Sequence, residues 1–78
     1  MREKLASLQH DIWSHWMAHL FACCEPTEDM GMIIPQDKVE RWARQMNTLY
    51  SGLSEDEKKS DRDQADKIIK LISNEAKP

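Results

Sequence analysis

Leu5-Ala6-Ser7-Leu8-Gln9-His10-Asp11-Ile12-Trp13-Ser14-His15-Trp16-Met17-Ala18-His19-Leu20-Phe21 places large apolar residues at 5, 8, 12, 16 and 20. Steps of three and four are the repeat of an α-helix with one apolar stripe, and Trp13 and Met17 widen that stripe. The spacing predicts a helix over 2–23. Cys24-Glu25-Pro26-Thr27-Glu28-Asp29 breaks it, and Met30-Gly31-Met32-Ile33-Ile34-Pro35 then reads as an apolar loop or short extended piece ended by proline. Large apolar side chains outside a helix either fold back over a core or form a contact surface, so Met30, Met32, Ile33 and Ile34 are candidate interface residues.

Working outward, a second helix is expected over 36–47. Proline suits a first helical turn, and Asp37 stands where the helix dipole favours negative charge. Val39, Trp42, Ala43 and Met46 form its apolar stripe, leaving Arg41, Arg44 and Gln45 off it. Leu49-Tyr50-Ser51-Gly52-Leu53 is turn-like and leads into Ser54-Glu55-Asp56-Glu57. These four read as a capping box, in which Ser54 accepts from the amide of Glu57 and Glu57 reaches back to the amide of Ser54. The third helix, over 55–73, carries Ala65, Ile68, Ile69 and Ile72 on one face. Stepping that face backwards meets Lys58, Asp61 and Arg62, so charge occupies the first half where core occupies the second. The expected fold class is all-α: a small three-helix domain spanning 1–78, with an apolar loop between helices one and two.

A chain of 78 residues makes one domain at most and buries only about 60% of the surface its unfolded form exposes. Such thin cores usually gain from a disulfide, metal, ligand or partner subunit. The two cysteines, Cys23 and Cys24, are adjacent and poorly placed to bridge each other, which points to free thiols in a reducing cytoplasm. No run resembles a signal peptide or membrane span. A formal charge of −3 supplies no basic footprint for a nucleic acid polymer, although a local cluster can still hold a small anion.

Two segments resemble the ryanodine-receptor repeat family. Leu5-Ala6 followed by His10 and, three residues on, Trp13 is similar to the family's opening. Leu49-Tyr50-Ser51-Gly52-Leu53-Ser54-Glu55-Asp56-Glu57-Lys58-Lys59-Ser60-Asp61-Arg62, with Ala65 and Leu71 beyond, is similar to its block of proline-tyrosine, leucine, capped turn, glutamate-lysine and aspartate-arginine. Leu49 stands where the family has proline and Gly52 where it has an acidic residue; Cys23 through Pro35 replaces its glycine-rich region. The resemblance implies a helical module. In the receptor channels these repeats are peripheral, whereas bacterial and phage relatives have been proposed to sense nucleotide-derived ligands. A free-standing domain of this size resembles the second group. With no effector domain attached, the further expectation is a phage sponge in the host cytoplasm, sequestering a cyclic-nucleotide immune signal as an anti-defence protein.

The leading constellation is His10 and Trp13 on helix one, Tyr50 in the turn, and Lys58, Asp61 and Arg62 on helix three. Aromatic faces stack a base, and Lys58 or Arg62 can hold a phosphate by charge-assisted hydrogen bonds. The structural alternative is that Glu57 or Asp61 pairs with Arg62 or His10, that Tyr50 caps the core, and that the motif specifies only the fold. Arg41 and Arg44 are a secondary basic group that could clasp a second phosphate or simply face solvent. Asp11, His15, His19 and Cys23 recur at every fourth position with donors suited to zinc, but one straight helix cannot wrap four ligands around an ion, so no metal is expected. No phosphate-binding loop, dinucleotide turn or nucleophile elbow is present, and neither an enzymatic activity nor a cofactor is expected. The reading is a non-enzymatic, homo-oligomeric binding module for a small nucleotide-type ligand. The alternative is a protein-interaction module working through the Met30–Ile34 loop and exposed aromatics.

Overall fold

Periodicity and capping place the helices close to where the chain folds them. The computed structural model describes residues 1–76, with α1 at Arg2–Cys23, α2 at Gln36–Met46 and α3 at Glu55–Glu75. Between α1 and α2 lies a two-stranded ribbon, β1 at Glu25–Pro26 and β2 at Met32–Ile33, and a 3-10 turn at Tyr50–Gly52 precedes α3. The fold is all-α with a minor ribbon. Asn47 is the C-cap of α2, and α3 runs two residues past the expected end.

The chain divides into two compact units: Met1–Ser14 together with the segment from Ser54, and His15–Leu53. In the first, Leu5, Leu8 and Ile12 are half-buried along α1, and α3 begins at its capping box. Ser54 Oγ accepts from the Glu57 amide at 3.2 Å, and Glu57 Oε1 accepts from the Ser54 amide at 3.0 Å. Glu57 is 5% exposed. At the far end of α3, Lys4 Nζ donates to Glu75 Oε1. That bond holds the Glu75 carboxyl below its ordinary range.

The second unit begins with half-buried Trp16, Met17 and Leu20 on α1. Its ribbon is antiparallel, Glu25 opposite Ile33 and Pro26 opposite Met32, so of the two forms expected for the apolar segment, loop or extended piece, the extended one is taken at Met32–Ile33. Thr27 and Gly31 close a three-residue hairpin loop through a 2.9 Å backbone bond, and the Met30 amide donates to the Thr27 carbonyl. Thr27 Oγ1 donates to Asp29 Oδ1, and the Gly31 amide donates to both side chains, at 2.9 and 3.3 Å. The Thr27 hydroxyl, then the Gly31 amide, lower the Asp29 pKa.

Met30 takes the left-handed position of this loop, with φ 69°. Glycine normally supplies that conformation, because a Cβ crowds the following carbonyl there. Met30→Gly is therefore expected to raise stability by about 0.5–1 kcal/mol, after the greater chain entropy of glycine is offset. Urea unfolding measures this; an unchanged or lower midpoint would show that the methionine contributes contacts outweighing the strain.

At the end of α2, Asn47 Nδ2 donates to the Ala43 carbonyl at 2.8 Å and Thr48 Oγ1 to the Arg44 carbonyl at 2.6 Å, satisfying carbonyls the helix leaves open.

Three expectations about covered faces are corrected. On α2 the half-buried residues are Lys38, Trp42 and Gln45; Val39, Ala43 and Met46 are exposed, Met46 at 78%. The Trp42 ring meets His19, which turns that side inward, and the aliphatic stems of Lys38 and Gln45 can cover apolar surface while their heads stay wet. On α3 the more covered positions are Glu57, Lys58, Ser60, Gln64 and Leu71, while Ala65, Ile68, Ile69 and Ile72 are exposed. The burial of the capping carboxylate orients α3, and its isoleucine face points away. Trp13, expected to broaden the covered stripe of α1, is also exposed. No apolar side chain is buried among the described residues. None of their helices is long and apolar enough to cross a membrane.

Candidate functional site

His10 and Trp13 sit three residues apart on α1, a spacing that brings side chains together on one helical face. Their rings stack with centroids 5.9 Å apart and planes inclined by 23°. Trp13 is 54% exposed, so one indole face is braced by imidazole while much of the ring is open. On α3 of the same unit, Glu55 joins two of the expected cations: Lys58 Nζ lies 3.6 Å from Oε1 and Arg62 Nη1 donates to Oε2 at 3.2 Å. Asp61 is exposed one residue before Arg62. Tyr50 belongs to the other unit, in the 3-10 turn, where it is partly exposed. The structure thus joins His10 to Trp13 and Lys58 to Arg62.

Arg41 and Arg44 are exposed on α2, as a solvated face would be. Trp42 lies in an aromatic cluster of the second unit that the sequence did not announce. His15 meets Trp16 edge-on at 4.8 Å, Trp16 meets His19 at 6.0 Å, and His19 meets Trp42 at 6.3 Å. The signal available beforehand was the histidine one residue before and the one three residues after Trp16. His19 Nε2 also approaches Cys23 Sγ at 3.7 Å. No group of three or more His, Cys, Asp or Glu suited to a metal occurs among the described residues. Cys23 and Cys24 are free thiols.

The interface candidates Met30, Met32, Ile33 and Ile34 are all exposed, Met30 at 94%, and Leu49 beyond α2 is 82% exposed. In the first unit a cleft of about 430 Å³ runs between α1 and α3, lined by Lys4, Ser7, Leu8 and Asp11 on one helix and Lys67, Lys70, Leu71 and Asn74 on the other. None of the expected ligand residues lines it.

Compared with protein-family models, curated proteins and solved structures, the chain matches none.

Proposed function

We propose that this chain is a non-enzymatic binding module that captures a small anionic nucleotide-type ligand and acts as an assembly of identical copies. The observation that carries the ligand half is the His10–Trp13 stack, a braced and half-open indole on the unit that also holds Lys58 and Arg62. A base stacked on an aromatic face gains about 1–3 kcal/mol. The ion pairs of Glu55 with Lys58 and Arg62 are exposed on the glutamate side, and such pairs are worth only about 0–1 kcal/mol, so a phosphate can take the place of Glu55 at little cost. Fork-like hydrogen bonds from Arg62 to phosphate are the stronger interaction. The resemblance to the ryanodine-receptor repeat supports the ligand class; withdrawal of a cyclic-nucleotide immune signal by a phage sponge in the host cytoplasm is the further step of the same proposal.

Calorimetric titration with linear and cyclic nucleotides tests the site. Trp13→Ala and Arg62→Ala should each weaken binding about tenfold or more, with helical content unchanged. Wild-type affinity in both variants would remove this assignment.

The assembly half rests on the uncovered stripes, Val39, Ala43 and Met46 on α2 and Ile68, Ile69 and Ile72 on α3. A second copy is the occupant that would complete so thin a core. The second reading, a protein-interaction module acting through Met30, Met32, Ile33 and Ile34, is favoured by the hairpin. A methionine kept in a conformation that disfavours it, with its side chain held outward, is suited to docking.

A further inference from the structure

The cleft of the first unit is built from two matching helical faces. Lys4, Ser7, Leu8 and Asp11 on α1 follow the spacing i, i+3, i+4, i+7, and Lys67, Lys70, Leu71 and Asn74 repeat it on α3. Each face therefore presents one half-buried leucine flanked by polar side chains. Leu8 and Leu71 make an apolar floor, and Ser7 and Asn74 supply hydrogen-bonding groups. The cleft holds about 430 Å³ and is largely open to solvent, so a ligand in it stays partly exposed.

Charge distinguishes this cleft from a simple crevice between helices. Lys4 is committed to Glu75. Lys67 Nζ rests on the neutral Gln64 Oε1 at 3.0 Å, which orients the ammonium without neutralising it. Lys70 has no hydrogen-bond or ion-pair partner among the described residues. Asp11 lines the opposite wall and pairs with neither lysine. Two uncompensated cations one helical turn apart can converge on a single head group. In a chain of net charge −3, these lysines line an apolar floor.

We propose that this cleft binds a small organic monophosphate with a flat body. The phosphate sits on Lys67 and Lys70, the body lies over Leu8 and Leu71, and Asp11 accepts from an N–H donor where the ligand has one. The site uses none of the side chains of the His10, Trp13 and Arg62 assignment, so the two stand or fall separately.

The test is titration of the ¹⁵N-labelled full chain with phenyl phosphate, followed by amide shifts. Saturable shifts at Ser7, Leu8 and Asp11 and at Lys67, Lys70, Leu71 and Asn74 are expected. The double variant Lys67→Ala, Lys70→Ala should weaken binding about tenfold or more, with unchanged circular dichroism, while Lys59→Ala, which removes an exposed lysine of the same helix outside the cleft, leaves it as in the wild type. Inorganic phosphate should bind several-fold more weakly, because it lacks a body to cover the leucines. Shifts that never saturate, wild-type affinity in the lysine double variant, or equal binding of inorganic and phenyl phosphate would each overturn the proposal. Loss of phenyl phosphate binding in Trp13→Ala alone would move the site to the stacked pair and overturn it likewise.

Discussion

Glu57→Ala is expected to cost about 2 kcal/mol of stability, because it removes a cap and leaves polar groups without a partner. Glu57 is the one buried residue among those described, and its carboxylate accepts the Ser54 amide at 3.0 Å. Truncation takes the acceptor from that amide, in a bond that is part-buried although Ser54 itself is exposed. A chain of 78 residues at the low end of ordinary stability has roughly 4 kcal/mol in all. The substitution would thus remove about half of it, visible as a large drop in thermal midpoint. Glu57→Gln keeps an acceptor at the same place and should retain much of the cap. If alanine and glutamine behave alike, the carboxylate matters for its charge and not for the box. A loss within about 0.5 kcal/mol for alanine would place Glu57 among ordinary surface residues.

The second large effect is expected from charging the exposed face of α2. In Val39→Glu with Met46→Glu, the assembly seen by light scattering should fall to the monomer, and the thermal midpoint should lose its dependence on protein concentration. Both side chains are exposed in the single chain, so the substitutions bury no charge within the subunit. They set carboxylates against any apolar surface that covers α2, where desolvation is costly. Far-UV circular dichroism at high dilution should be close to wild type in shape. A wild-type chain that is monomeric at every accessible concentration would contradict the assembly. A variant that still associates would move the contact to the Met30–Ile34 hairpin or the isoleucine face of α3.

Where the helices lie was legible in the sequence; which faces they cover was legible only in part. Steps of three and four along Leu5, Leu8, Ile12, Trp16 and Leu20 mark α1, and the serine-glutamate box marks the first turn of α3, because both signals are local. On α2 and α3 the most apolar stripe is not the covered one. Periodicity identifies a stripe suited to burial but does not say whether the same chain or a second copy covers it. Trp42 against His19 and the burial of Glu57 decide orientation here, and the first joins residues far apart along the chain. The stacked pair was legible in outline, since His10 and Trp13 stand three apart on a helix. The lysine-rimmed cleft was not: Leu8 and Leu71 line it together only once the fold brings distant segments together, and no motif links 4–11 with 67–74.

The most direct measurement of the central claim is the thermal midpoint of the wild-type chain in the presence of linear, cyclic and ADP-ribose-type nucleotides, since a ligand that binds the folded state must raise it. A clear rise is expected with one nucleotide class, growing with ligand concentration and absent with the parent nucleoside. A well-folded chain whose midpoint moves with none of them would contradict it and leave the protein-interaction module as the reading.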